Sequence, residues 1–334
     1  MNLKERISVF VKLGEYLKNE IHEQDSEQLH LAEIKNPWFT KENITHSLNA
    51  WHEQLNEETI SSWLNPYKLG EVKQQKKVLI VMAGNIPLVG FHDFLTVLIC
   101  GHKVVVKMSS NDSVLLKILI SKLISITPYF KQQIEFIDDI RKRKFDAVIA
   151  TGSDSSAKHF NYYFKDCKRI IRNSRRSIAI LDGSENAEEL EGLASDVFAY
   201  FGLGCRNISK LFLPIGFDLD ILFKVFYEYA YLLEHKKYAN NYDYNKSILL
   251  MGNNEIVENG FLLLKEDRSM FSPVAMLYYE FYDDRSVVDA FIKENADKLQ
   301  CIVSRQDLPF GSTQTPHLWD YADGIDTVAF LKKL

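Results

Sequence analysis

A chain of 334 residues exceeds the size at which one hydrophobic core usually keeps growing, so two or more packed units are expected. With 46% hydrophobic and 25% charged residues, a formal charge of −5 and a pI near 6.0, it shows no global pull towards nucleic acid or an anionic membrane. The four cysteines, Cys100, Cys167, Cys205 and Cys301, are scattered without a CxxC pair. The opening MNLKERISVF is too charged for a signal peptide, so free thiols in a reducing cytoplasm are expected.

In chain order, residues 1–72 carry helical apolar spacing in RISVFVKLGEYLKNEI and ITHSLNAWHEQLN and predict a helical N-terminal region. After Pro66 and Gly70 the texture changes. KKVLIVMAG, HKVVVKMS, RKFDAVIATG and RSIAILDG are short apolar runs that end in small or polar residues, separated by the helix-like GFHDFLTVLIC, SVLLKILISKLISI and SSAKHFNYYFKDC. Strands alternating with helices predict βαβ units and a parallel sheet covered on both faces. The apolar stretch from Val78 to Cys100 is interrupted by Asn85, Pro87, His92 and Asp93, which argues against a membrane anchor.

A second α/β series follows. AEELEGLASDVFAYF and DLDILFKVFYEYAYLLEH read as helices, and KLFLPIG, KSILLMG, AMLYYEFY and LQCIVSR as strands. In open α/β sheets ligands bind beyond the carboxyl ends of the strands, so the clusters GNIP, SSND, TGSDSS and DGSEN are expected to line one crevice.

These motifs, in this order, resemble the aldehyde dehydrogenase superfamily, and within it the LuxC-type acyl-CoA reductases. The resemblance runs from Val78 to the C-terminus, where PFGSTQTPHLWDYADGIDTVAF is similar to the family's PFG segment and closing strand, as expected of a chain complete at that end. It implies an α/β, aldehyde dehydrogenase-like fold: an NADP-binding parallel-sheet domain over 73–185, a catalytic cysteine domain over 186–310, and a segment over 311–334 packing back at the domain interface. By the same resemblance, FGLGC places Cys205 on the catalytic cysteine and GNIP places Asn85 on the family's asparagine. VVVKMSSND puts Lys107 near the adenosine ribose, and ATGSDSS puts Gly152 and Ser153 beside the cofactor phosphates. MFSPV is similar to the family's phenylalanine and glycine-proline-valine turn.

Three departures from the pattern sharpen the expectation. Hydrolytic relatives carry a general-base glutamate ahead of the cysteine, but KRIIRNSRRSIAIL holds no carboxylate between Cys167 and Asp182. An acyl-cysteine then has no base to activate water, and thiol exchange and hydride transfer remain. Many members place a ribose-binding glutamate where this chain has Ser110; a serine can donate to a 2′-phosphate, which favours NADPH over NADH. At Ser269 another ribose-binding glutamate is replaced, so nicotinamide positioning is expected to rest on other residues.

The chemistry can also be read from the residues themselves. A cysteine nucleophile needs a stabilised thiolate, and Arg206, Arg172, Arg175 and Arg176 are the candidate cations. Gly202 and Gly204 leave room for close backbone approach. The Asn85 amide and the Cys205 N–H form a candidate oxyanion-binding pair.

Each motif also has a bland counterpart. Free cysteine is often simply buried, Gly-Asn is a common turn, TGSDSS is common N-cap composition, and Lys107 could be a solvated strand-end charge. RKRKFD at 141–146 reads as a surface turn, since no aromatic platform accompanies it. His92 and His159 read as structural, His317 falls near the expected crevice without an assigned role, and no group of residues has metal spacing.

The expected activity is NADPH-dependent reduction of a long-chain fatty acyl-CoA to the aldehyde through an acyl-cysteine. The alternatives are reduction of another acyl thioester or an acyl phosphate, or a non-reducing acyl carrier or acyl-transfer protein. A homodimer and an acyl-donating partner enzyme are the expected associations, without nucleic-acid binding or membrane insertion.

Overall fold

The structure is a computed structural model that describes residues 1–22, 27–141 and 143–334. The N-terminal helices are α1 (Leu3–His22), α2 (Glu27–Lys35), α3 (Lys41–Gln54) and α4 (Glu57–Leu64). An alternating series follows: β1 (Lys77–Val81), α5 (Phe91–Ile99), β2 (Lys103–Lys107), α6 (Leu115–Ile126), β3 (Ile134–Phe136), β4 (Ala147–Thr151), α7 (Asp154–Tyr163) and β5 (Lys168–Arg172). Then come β6 (Arg176–Ile180), α8 (Ala187–Phe198), β7 (Ile208–Pro214), α9 (Leu219–Phe226), α10 (Lys236–Met251), β8 (Val257–Glu258), β9 (Leu263–Glu266), β10 (Met276–Tyr282), α11 (Arg285–Glu294) and β11 (Leu299–Val303). A last helix, α12, spans Thr327–Lys332.

By contacts the chain divides into two units, one of Met1–Ser174 with His317–Leu334, the other of Arg175–Pro316. The first is built on a five-stranded, all-parallel sheet of order β3-β2-β1-β4-β5. Its strands alternate strictly. Val78, Ile80, Val104, Val106, Ala147 and Ile149 face one core, while Leu79, Val81, Val105, Val148 and Ala150 face another. Burial on both faces explains why these strands read as unbroken apolar runs.

The first core also takes Phe10 and Leu13 from α1, Ile44 and Leu48 from α3, and Ile60 and Trp63 from α4. The N-terminal helices therefore share the core of the sheet they cover. Val328 and Leu331 of α12 enter the same core. Trp63 Nε1 donates to the Tyr321 hydroxyl at 2.7 Å, and the Tyr67 hydroxyl donates to Asp326 at 2.9 Å, which ties this last segment to the N-terminal helices.

A buried ion pair lies in the same unit. Arg172, at the end of β5, grips Asp93 of α5 through two hydrogen bonds, that from Nη2 at 2.9 Å, and Nη2 also donates to the Thr327 hydroxyl at 3.1 Å.

The second unit holds a six-stranded sheet of order β11-β6-β7-β10-β9-β8, parallel except for the antiparallel edge strand β8. Three sequence expectations are corrected here. RSIAI reads like another strand of the first series, yet as β6 it pairs with β7 and β11, so the contact division falls after Ser174 rather than after residue 185. KSILLMG reads as a strand but forms the end of α10. His235 caps that helix, and of its last apolar residues only Leu249 is buried, Ile248, Leu250 and Met251 being 46%, 55% and 78% exposed. A short apolar run before glycine does not by itself distinguish strand from helix. The helix expected over DLDILFKVFYEYAYLLEH is α9 followed by a 3-10 segment, Tyr227–Glu234.

No helix among the described residues is long and apolar enough to cross a membrane. The surface turn expected at 141–146 includes residue 142, which lies outside the described residues. Its exposed neighbours Arg141 and Arg143 pair with Asp139 at 3.0 Å and Glu135 at 2.6 Å.

Candidate active site

In the first sheet, β1 and β4 are neighbours from which the chain winds away in opposite directions, through β2 to β3 on one side and to β5 on the other. Ligands of such sheets bind at the carboxyl ends beside this switch point. Five of the residues singled out in the sequence follow carboxyl ends there: Asn85 after β1, Lys107 and Ser110 at and after β2, and Gly152 and Ser153 after β4. Asn85, Ser110 and Ser153 are exposed, Lys107 and Gly152 half-buried.

The loops at this edge are tightly packed. A Cβ on Gly84 would lie 2.5 Å from Ser109 Oγ, and one on Gly152 would lie 2.8 Å from Ser156 Cβ. Ser153 caps α7 by accepting the Ser156 N–H at 3.3 Å, so part of its hydroxyl's capacity is spent on its own helix. The loop after β1 contains Leu88 in the left-handed region, φ 57°, and the Leu88 N–H donates to the buried Asp112 carboxylate at 2.9 Å. No sequence signal beyond SSND itself marked Asp112.

Burial pushes the Asp112 carboxyl up to about 6, against the pull of the Leu88 N–H. The folded state therefore holds a proton that the unfolded chain releases near pH 4, and stability falls as pH rises from about 4 to about 6. Replacing Asp112 by Asn removes this dependence. Between pH 4 and 7 the variant is expected to gain up to about 3 kcal/mol on the wild type, read from urea midpoints at both pH values; a constant gap would contradict it.

In the second unit, Cys205 precedes β7 at the amino edge of the sheet and is half-buried. The capping box of Asn186 and Glu189 starts α8, and beyond its end Tyr200, Phe201 and Gly202 all lie in the left-handed region, at φ 52°, 58° and 72°. A non-glycine residue there is strained and persists only when its surroundings over-determine it. Asn207 supplies much of that restraint. Its buried amide donates to Asp196 O at 3.0 Å and Ala199 O at 2.8 Å, while its Oδ1 accepts the Gly204 N–H at 2.8 Å. No sequence signal marked Asn207 as the clamp of this loop.

Two neighbours on β6 complete the brace. Arg176 Nη1 donates to Gly204 O at 3.0 Å, and Ser177 Oγ donates to Cys205 O at 3.0 Å while accepting the Cys301 N–H at 3.1 Å. Arg206 sends Nη1 to Cys301 Sγ at 3.3 Å. Of the other candidate cations, Arg172 is held by Asp93, and Arg175 donates to Leu299 O at 2.7 Å.

The PFG segment is seated on α8. The buried Asp196 accepts from Gly311 N at 2.7 Å and from Thr313 Oγ1 at 2.6 Å, burial raising its carboxyl above the usual range. A Cβ on Gly192 would come within 2.8 Å of the Phe310 backbone, so only glycine permits this approach. Ser269 is exposed, its N–H donating to Asp267 Oδ1 at 2.8 Å.

The other thiols are poorly placed for nucleophilic work. Burial pushes Cys100 up to about 12 and raises Cys167, and Cys301 is buried. His92 Nε2 donates to Leu318 O at 2.9 Å, within an aromatic group of Trp51, Trp63 and Tyr321. His159 is exposed, and His317 stacks on Trp319 with ring centres 4.7 Å apart. Among the described residues no three His, Cys, Asp or Glu side chains form a metal-binding group.

The family model for acyl-CoA reductase (LuxC) matches residues 11–216. No curated protein sequence matches the chain. Among solved structures it is similar to aldehyde dehydrogenase 21 from Physcomitrella patens in complex with the reaction product succinate, at 15% identity and a TM-score of 0.67 over 98% of this chain and 79% of that one. It is also similar to an NAD-dependent aldehyde dehydrogenase from Sinorhizobium meliloti (12%, TM-score 0.66, covering 91% and 71%). A Mycobacterium tuberculosis aldehyde dehydrogenase complexed with NAD+ gives 13% identity and a TM-score of 0.62, covering 87% and 71%. At these identities the likeness establishes an aldehyde dehydrogenase-like fold.

Proposed function

The chain belongs to the LuxC family of acyl-CoA reductases and is an oxidoreductase, and from that premise we propose that it reduces a long-chain fatty acyl-CoA to the aldehyde with NADPH through an acyl-Cys205 thioester. The observation that carries this reading is the Cys205 loop, a strained turn braced by Asn207, Arg176 and Ser177. The segment ahead of it, residues 168–181, is free of carboxylates.

The first sheet's carboxyl edge fits a dinucleotide. There α7 presents its N-terminus, and Lys107, Ser110 and Ser153 supply cationic and hydroxyl donors suited to phosphates. The Mycobacterium tuberculosis aldehyde dehydrogenase of similar fold is complexed with NAD+. Ser110, with no negative charge, favours the 2′-phosphorylated form. When bound, the nicotinamide cofactor supplies the hydride that reduces the acyl carbonyl.

Cys205 Sγ attacks the thioester carbonyl, forming a new carbon–sulfur bond, and the coenzyme A thiolate leaves with the electrons of the bond it gives up. The Cys205 N–H is assigned to the oxyanion, contributing about 3 kcal/mol in the transition state. After reduction the carbon bears an oxyanion; its collapse expels the Cys205 thiolate and releases the aldehyde. With no carboxylate in residues 168–181 to activate water, hydrolysis of the acyl-cysteine is slow.

The test is a spectrophotometric assay of NADPH and NADH oxidation by purified protein against acyl-CoAs of several lengths and an acyl phosphate. Cofactor oxidation with aldehyde release is expected from long-chain acyl-CoA, faster with NADPH. Acyl transfer to the protein without cofactor oxidation would replace this reading by the acyl-carrier one.

A further inference from the structure

We propose that Arg176 is the positioning residue of Cys205: its guanidinium is the built-in counter-ion of the Cys205 thiolate and sets the plane of the Gly204–Cys205 peptide. The inference deepens the reductase reading and rests on Cys205 being the acylated residue.

Three observations meet at this side chain. Arg176 opens β6, and its neighbour Ser177 pairs in register with Ile208, three residues beyond Cys205, so the two strand starts lie side by side. Its Nη1 holds the Gly204 carbonyl at 3.0 Å. In a trans peptide the carbonyl and the following N–H point in opposite directions, so fixing Gly204 O fixes the direction of the Cys205 N–H. Ser177 holds the carbonyl on the far side of Cys205, so both peptides flanking its Cα are tethered to β6.

The third observation is a charge without a carboxylate. Among the described residues no acidic side chain pairs with Arg176, and its buried Nε has no hydrogen-bond partner. A buried cation of this kind is costly unless something nearby carries negative charge. Burial lowers the guanidinium's pKa, and the Cys205 thiolate acts in the opposite direction.

Other charged groups around the loop have partners of their own. Arg206 reaches to Cys301 Sγ, and Arg175 to Leu299 O. Lys210 is paired with Glu280 at 2.9 Å, and the Asp196 carboxylate is taken up by Gly311 and Thr313. His235 lies against the Phe201 ring, at 4.5 Å between centroids.

The experiment is the pH dependence of iodoacetamide alkylation at Cys205, located by mass spectrometry, in the full-length wild type, Arg176→Met and Arg176→Lys without substrate. An opposite charge at close range shifts a pKa by about 1–3 units. The wild-type midpoint is expected at least about one unit below the ordinary thiol value near 8.5. Arg176→Met should raise it by about one unit or more, with Arg176→Lys restoring most of the shift. A wild-type midpoint at or above the ordinary value overturns the proposal even if Arg176→Met fails to fold, and so does an unchanged midpoint in folded Arg176→Met. Because no acyl-CoA is present, a wild type with a lowered midpoint but no aldehyde formation would sink the reductase reading and leave the thiolate assignment standing.

Discussion

Cys205→Ala protein is expected to form no aldehyde and to take up no acyl label from radiolabelled acyl-CoA, a loss of at least about 10⁴-fold in rate. The magnitude follows from the absence of a substitute. Cys100 sits in a core that pushes its thiol up to about 12, Cys301 is buried, and burial also raises Cys167. Cys205→Ser should fare little better, because a serine hydroxyl needs a general base, and residues 168–181, where hydrolytic relatives carry one, hold no carboxylate here. The loop is held through its backbone and through Asn207, so neither variant should unfold it, and the thermal midpoint should stay within a few degrees of wild type. Undiminished labelling in a folded Cys205→Ala protein would remove Cys205 from the chemistry.

Asp93→Ala should be the most destabilising single change in the first unit, at about 3–5 kcal/mol. Both partners of the Arg172–Asp93 pair are almost wholly buried, and Asp93 meets that guanidinium through two hydrogen bonds. Removing it strands a cation in a region with no access to water. Replacing both residues with apolar ones, as in Asp93→Leu with Arg172→Met, should recover most of the loss, because the desolvation cost of the two charges disappears together. Urea unfolding of the single and double variants separates the two. A double variant as unstable as Asp93→Ala would mean that the pair is needed for more than charge balance.

The strand ends were legible in the sequence because strands covered on both faces become apolar runs that stop where the chain meets solvent, as at Val81–Asn85 and Thr151–Ser153. Cys205 stood out through its glycines. The run KRIIRNSRRSIAI hid more. It reads as one basic strand, yet the chain leaves the first sheet after Arg172 and enters the second at Arg176, with no change in residue texture to mark the crossing. Arginines four residues apart thus belong to different sheets, a separation that nothing in their sequence context marks. The roles of Asp93, Asp112, Asp196 and Asn207 were hidden for a related reason. Each acts on backbone or charge remote in sequence, or around a turn whose left-handed φ values no composition announces.

The division of the chain has a consequence for how the protein is made. The second unit is continuous, Arg175–Pro316, while the first is interrupted by it and finished by His317–Leu334. Thr327, Val328 and Leu331, which touch Arg172 and fill the first core, leave the ribosome only after all of the second unit has been translated. The half synthesised first is thus the half sealed last. Until α12 arrives, the nascent chain carries an open apolar face and an incompletely enclosed arginine pair, the kind of surface that chaperones hold, while the later-made unit already has every strand of its own sheet.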